Sequence, residues 1–270
     1  MSKHKLLTQD EFSTFQLDIA LINYIELYRN KNNLKKEEMN ILDWGCGKGK
    51  STLKLRERGY NTYGVDVDIE PIHNGINLFK EKGYDSSTLQ VLSVKGTTDF
   101  PDNYFHFTFS DQVFEHVQNL EETVIEISRI TTKGGVVYHV YPAHRHIVEA
   151  HLHMPFVHWL PKNKLRKYLI LIYLYFNIDP GWKELKNLSI KSRACEYYQY
   201  SKNKTFYRKP SIMRSLFEKC GYRVNFETVD QSKLVGKKFL TKLASFRMSK
   251  SIFAYFVYTF KSTKLFIIKL

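Results

Sequence analysis

Met39-Asn-Ile-Leu-Asp-Trp-Gly-Cys-Gly-Lys-Gly-Lys-Ser51 decides how the rest of the chain is read. Ile41 and Leu42 make a short apolar strand, Asp43 follows as an acid, and Gly45, Gly47 and Gly49 form a tight turn. A helix is predicted to begin near Ser51. Glycines lack a Cβ, so backbone N–H groups can approach a ligand closely, and the helix N-terminus adds positive partial charge. The combination predicts a nucleotide or nucleoside pocket at the carboxyl edge of a parallel sheet.

Spacing separates the ligand classes that use such a turn. A phosphate-cradling P-loop needs a glycine, four residues and then Gly-Lys-Ser/Thr. Gly49-Lys50-Ser51 supplies that ending, but Trp44 stands where the first glycine belongs. The dinucleotide fingerprint G-x-G-x-x-G puts its third glycine where this chain has Lys50. The pattern that does fit is Asp-x-Gly-x-Gly-x-Gly, Asp43 to Gly49. A second acid closes the next strand, Tyr63-Gly-Val-Asp66, 21 residues after Gly45.

With these residues the chain resembles the class I S-adenosylmethionine-dependent methyltransferases over about residues 39–141. Phe100-Pro-Asp-Asn-Tyr-Phe105 is similar to that family's entry to its fourth strand, with His106 in place of the usual final acid. Val113-Phe-Glu-His-Val117 resembles the stretch that follows the strand. Glu126-Ile-Ser-Arg129 and Lys133-Gly-Gly135 resemble the approach to strand five. The resemblance implies S-adenosyl-L-methionine as cofactor, held by Asp43, Gly45, Cys46, Gly47, Gly49, Asp66 and Asp111. Asp66 takes the ribose hydroxyls in that reading, since one carboxylate offers two acceptors to a vicinal diol. Cys46 contributes backbone and packing, not a nucleophile.

Strands near residues 39–44, 61–66, 89–94, 104–110 and 135–141 alternate with helices. That order predicts an α/β fold, a Rossmann-like doubly wound and mostly parallel sheet with a cap inserted after strand five. Phe12, Phe15, Ile19, Ile22 and Ile25 recur at helical spacing and predict an amphipathic N-terminal helix. The helix over residues 120–131 is expected to stop at Gly134-Gly135. Four regions result: a helical cap over 1–38, the cofactor-binding core over 39–141, a substrate-side cap over 142–210, and a sheet-completing end with a basic aromatic tail over 211–270. A final helix over 211–220, ended by Gly221, leads into an antiparallel strand over 222–228. Two apolar runs, Tyr168–Phe176 and Ile252–Phe260, are nine residues each. A membrane span needs about 20.

The net charge of +14 is segregated: residues 1–150 carry 17 Lys/Arg and 21 Asp/Glu, and residues 151–270 carry 24 and 6. Such asymmetry points to an anionic partner, with a membrane surface favoured over nucleic acid because no RNA-binding motif is present. Cys46, Cys195 and Cys220 have neither disulfide nor zinc spacing and suit a reducing compartment. The opening residues contain no hydrophobic signal region, so the expected location is cytoplasmic, with peripheral contact at the inner membrane face.

After strand four the chain reads Ser110-Asp-Gln-Val-Phe-Glu-His116. The Asn/Asp-Pro-Pro-Tyr motif of methyltransferases acting on exocyclic amines is missing. His116 is the candidate general base for an oxygen acceptor. A Glu-x-x-Glu-His stretch holds a divalent metal in some members, but Gln112 replaces the first glutamate here, and no metal is expected. Just past strand five, Pro142–Pro161 is crowded with histidines. His151, His153 and Trp159 are the candidate substrate contacts, with Arg145 and Glu149 completing a polar lip. The leading expectation is O-methylation of a small-molecule, glycan or lipid-linked acceptor. An RNA methyltransferase or an inactive binding module with the same fold are the alternatives.

Overall fold

The computed structural model describes residues 7–93, 96–226 and 262–270. Its strands are β1 (Asn40–Trp44), β2 (Asn61–Asp66), β3 (Leu89–Val91), β4 (Phe105–Asp111), β5 (Thr131–Pro142), β6 (Tyr222–Phe226) and β7 (Ser262–Lys269). They form one sheet in the order β3-β2-β1-β4-β5-β7-β6. The first five run parallel. β7 lies antiparallel between β5 and β6, the expected antiparallel completion. Strand order reverses between β1 and β4, so a crevice opens at their carboxyl ends, beside the glycine turn.

Both faces of the sheet are covered, which is why its parallel strands read as continuous apolar runs. Leu42, Val65, Phe105 and Val137 pack on one side with Ile127 and Phe217. Ile41, Phe107 and Tyr138 pack on the other with Leu21 and Ile25. Phe105 and Phe107 are two apart yet join different clusters, and the β4–β5 register shifts between them.

That shift explains Gly134-Gly135. The helix α5 (Leu120–Ile130) passes straight into extended backbone at Thr131, with no glycine cap. Thr131 pairs with Phe105 and Val136 with Phe107, so the four residues between bulge out of the ladder. Gly134, at φ 73°, makes the bulge possible. The glycines expected to end the helix therefore bend the strand.

The N-terminal periodicity also resolves differently. It forms two helices, α1 (Gln9–Ser13) and α2 (Ile19–Lys31), because the Asp18 carboxylate accepts from Ala20 N–H and restarts the helix. Glu11 reaches Lys50 and Lys48 at 2.6 and 3.3 Å, which seats α1 against the glycine turn. Helices α3 (Lys50–Glu57) and α4 (Ile69–Glu81) flank β2, and α8 (Pro210–Lys219) packs on α5 before Gly221 leads into β6.

The cap after β5 carries its own small core. Helices α6 (Lys164–Tyr175) and α7 (Ile190–Asn203) pack through Ile170, Leu174, Ala194 and Tyr197 over Leu152, Met154 and Val157. The apolar run within α6 suggests Leu169, Ile172 and Phe176 as its inward face, and the structure turns the helix otherwise. Arg166, Ile170 and Leu174 point inward with Leu169 packed partly beside them, as expected for that residue, while Ile172 and Phe176 are exposed. Arg166 sets this rotation: its buried guanidinium donates to the carbonyls of Leu160, His158 and Ser201. A charged group satisfied by three carbonyls anchors a helix face more firmly than apolar contacts on a run that is apolar all round. Among the described residues no helix is long and apolar enough to cross a membrane. The second apolar run and most of the basic tail lie outside the described residues.

Candidate active site

β1 delivers Asp43 to the end of the sheet, where it is buried and its Oδ2 accepts from the Thr52 hydroxyl at 2.9 Å. Burial, reinforced by the charges of Asp66 and Asp111, pushes the Asp43 carboxyl up to about 7. Asp43 thus braces α3 against the turn. In the turn itself, Gly45 and Cys46 both donate their N–H to the Val65 carbonyl, at 2.7 and 3.0 Å. Gly47 N–H donates to Asp66 Oδ2 at 2.8 Å, and Asp66 Oδ1 accepts from Asp68 N–H at 3.0 Å. The two acids flagged by the sequence therefore organise opposite sides of one turn.

Two glycines of this turn differ in what surrounds them. A Cβ on Gly45 would meet Val113 Cγ2 at 2.4 Å, whereas one on Gly47 would meet nothing within 4 Å. Gly47 thus faces open space at a φ of 54°. Burial pushes the Cys46 thiol well up, which suits a packing residue. Sequence reading missed Gly75. It sits inside α4, and a Cβ there would lie 2.2 Å from the Lys48 carbonyl oxygen, so α4 packs directly on the backbone of the turn. Its only signal in the sequence is a glycine in the middle of an amphipathic helix.

A cavity of about 500 Å³ opens beside the turn, lined among others by Trp44, Gly45, Asp66, Val67, Leu92 and Gln112. The segment after β4 lines it too, through Val113, His116, Gln118 and Asn119. Asp111 ends β4, exposed, with its carboxylate 3.4 Å from Gln112 Nε2. These groups fit S-adenosylmethionine. A carboxylate for a diol and the backbone of Gly45 line the cavity, Gly47 is tied to that carboxylate, and apolar Val67 and Leu92 offer walls for a planar base.

The Glu126–Arg129 pair proves to be a clasp. Arg129 holds Glu126 at 2.7 Å and Asp102 at 2.7 Å, and also takes the Phe100 carbonyl at 2.8 Å. Glu126 in turn accepts from Thr98 N–H and hydroxyl. The residues leading into β4 are thereby tied to α5.

His116 lines the cavity, and the cap fixes its tautomer. Its Nδ1 lies 2.7 Å from the Lys204 carbonyl. A carbonyl only accepts, so Nδ1 carries the hydrogen and Nε2 presents a lone pair. The cap closes on this loop with Phe206 N–H donating to the Glu115 carbonyl at 2.6 Å. The Arg208 guanidinium takes the carbonyls of Phe114, Val117 and Gln118. Arg208 and Tyr207 were not singled out by sequence, because nothing local marks residues whose partners lie 58 to 94 positions back along the chain.

The three substrate candidates separate. His151 comes to His116, with ring centroids 4.8 Å apart. His153 and Trp159 are exposed and do not line the cavity. The Trp159 indole donates to the His146 carbonyl and packs edge-on against Phe156. Glu149, expected in a solvated lip, is buried. It accepts from His151 N–H, Leu152 N–H and the Tyr207 hydroxyl. Burial lowers the His151 pKa, with further lowering from His116 and His153 against the pull of Glu149. Glu115 is 2% exposed and neither of its carboxylate oxygens has a hydrogen-bond partner. Burial pushes that carboxyl up to about 8.

The strand order, the glycine turn between two acids and the cavity at the carboxyl edge define the fold of the class I methyltransferases, the class that uses S-adenosylmethionine. Residues 42–139 match the family model described as "Methyltransferase domain". A probable tocopherol O-methyltransferase of Oryza sativa subsp. japonica is 25% identical over 117 residues, covering 43% of this chain and 32% of the relative. Ajmaline N-methyltransferase of Rauvolfia serpentina is 24% identical over 112 residues, covering 41% of this chain and 38% of the relative. The matched stretch is thus about a third of the length of these curated relatives. Among solved structures, an S-adenosylmethionine-dependent methyltransferase from Mesorhizobium loti superposes with a TM-score of 0.51. That match covers 88% of this chain and 95% of the other at 10% identity, a likeness of fold.

Proposed function

We propose that this protein transfers a methyl group from S-adenosylmethionine to an oxygen of a small-molecule, glycan or lipid-linked acceptor. The observation that carries the reading is one cavity lined together by Gly45, Asp66 and His116. The bound cofactor would supply an electrophilic methyl on a sulfonium; the chain's own residues bind, orient and move the proton. Asp66 keeps lone pairs for a ribose diol while holding Gly47 and Asp68 N–H. Gly45, Cys46, Gly47 and Gly49 let the backbone pass close to the methionine end, and Asp43 and Asp111 complete the set. His116 Nε2 accepts the proton of the acceptor hydroxyl as it attacks, and Lys204 holds the imidazole in the tautomer that makes this possible.

The choice of oxygen rests on that imidazole and on Ser110-Asp-Gln-Val-Phe114 standing where an amine-directed motif would be. The curated relatives act on both kinds of atom by name, so the assay decides. Calorimetry with S-adenosylmethionine should show binding that Asp66→Ala weakens by about 1–3 kcal/mol. Equal affinity in the two proteins would refute the site. An RNA acceptor would instead show as salt-dependent retention on RNA.

The acceptor side is proposed to rest on an anionic membrane surface. Leu165, Tyr168, Ile172, Tyr175 and Phe176 are all exposed along one side of α6, Phe176 at 77%. Lys164 and Lys167 stand at the start of the same helix. An exposed apolar stripe beside lysines fits lipid headgroups and the acyl boundary beneath them.

A further inference from the structure

We infer that Glu115, His116 and His151 form a binding site for a first-row divalent transition-metal ion at the acceptor end of the cavity. One ligand atom from each residue lies within 4.8 Å of the others. The spacing is that of donors set to close by small side-chain movements around an ion bound at about 2.0–2.2 Å. Separate observations single this cluster out. Glu115 has both carboxylate oxygens buried and unpartnered, with His116 Nε2 3.9 Å from one of them. His151 Nε2 is likewise buried and unpartnered. A buried Glu115 carboxyl and a buried His151 nitrogen, both without partners, make a costly arrangement unless something joins them. A divalent cation satisfies all three at once.

The surroundings are those of a ligand set. His116 donates Nδ1–H to the Lys204 carbonyl, which orients the ring and leaves Nε2 bare. Glu149 holds the backbone of His151 and Leu152 through its own carboxylate, fixing the loop that brings His151 in. Two imidazoles and one carboxylate favour zinc, manganese, iron or cobalt over magnesium or calcium, which prefer all-oxygen sets. Three protein ligands leave open positions, and His116 lines the cavity, so those positions face the acceptor.

The inference rests on the methyltransferase reading only for what the ion would do. The lone pair of His116 would be committed to the ion. The ion would then lower the pKa of a nearby acceptor hydroxyl, whose proton would pass to solvent water instead of to the imidazole. Sequence spacing excluded a metal because the third ligand was sought at Gln112. The structure supplies it from the cap, 35 residues further on than His116.

The test is direct metal binding without cofactor or acceptor. The full-length protein is stripped with chelator and titrated with Co²⁺, read by its visible ligand-field absorption, and with Zn²⁺, read by competition against a chromogenic chelator. One equivalent should bind, and Glu115→Gln and His151→Ala should each weaken binding at least tenfold. Circular dichroism of each variant establishes folding. If either is unfolded, His116→Ala, at a half-exposed position, gives the same comparison. No stoichiometric Co²⁺ or Zn²⁺ binding by wild type, or equal binding by folded variants, would overturn the inference. S-adenosylmethionine calorimetry on the same samples separates this failure from failure of the methyltransferase reading, since Glu115, His116 and His151 are not among the residues proposed to hold the cofactor.

Discussion

Replacing Gly75 with alanine is the sharpest test of how α4 shapes the cofactor turn. Inside a helix this substitution ordinarily stabilises by about 0.5–1 kcal/mol, because glycine loses more backbone freedom on folding. Here the added Cβ would sit 2.2 Å from the Lys48 oxygen and 2.9 Å from its carbonyl carbon, with Leu89 Cδ1 at 3.2 Å. The first two are backbone and cannot rotate away. Helix and turn must separate by about 1 Å to recover ordinary contact. Overpacking of that kind costs about 1–3 kcal/mol, a fall in melting temperature of about 2–10 °C for a domain this size. Lys48 is bonded to Gly47, so the same shift misplaces the N–H that meets Asp66. Cofactor affinity should fall about tenfold or more, the scale of a hydrogen bond to a charged group. Thermal denaturation and calorimetry read the two effects. A variant that melts higher and binds S-adenosylmethionine as wild type would refute the reasoning, since helix propensity alone would then account for position 75.

Asp43 should impose a pH slope on stability. Its folded carboxyl stands near 7 against 3.8 in the unfolded chain, so between about pH 4 and 7 only the unfolded state gives up that proton. Stability contributed by this group is therefore present below pH 4 and lost as pH rises to 7; Asp43→Asn should flatten the slope in urea titrations, and an unchanged slope would count against a buried protonated acid. Turnover should separate the histidines and tryptophan of the cap: His151→Ala is expected to lower it, while His153→Ala and Trp159→Ala stay within about twofold of wild type. Full activity of His151→Ala would detach that residue from the acceptor. Vesicles rich in phosphatidylglycerol should sediment the protein, and Tyr168→Ser with Phe176→Ser should release it; equal sedimentation by neutral vesicles, or by the double variant, would remove α6 from the membrane proposal.

Local pattern carried the core of this protein. Ile41 to Gly49 and Tyr63 to Asp66 are strand–turn units whose conformation follows from a few neighbouring residues, and glycine needs no tertiary context to permit a turn. Parallel strands buried on both faces leave an apolar signature that a sequence displays directly. The acid–glycine–acid turn that joins β1 and β2 was legible for that reason. Gly134-Gly135 was misassigned because helix end and strand bulge use the same residue, and only the pairing of Thr131 and Val136 with β4 decides between them. The face of α6 was equally undecided, since a helix apolar all round has no preferred inward side until Arg166 finds its carbonyls. The meeting of Glu115, His116 and His151 belongs to the same class. Such contacts join positions far apart along the chain, their free energy comes from geometry that exists only once the cap has closed, and no spacing within the sequence encodes it.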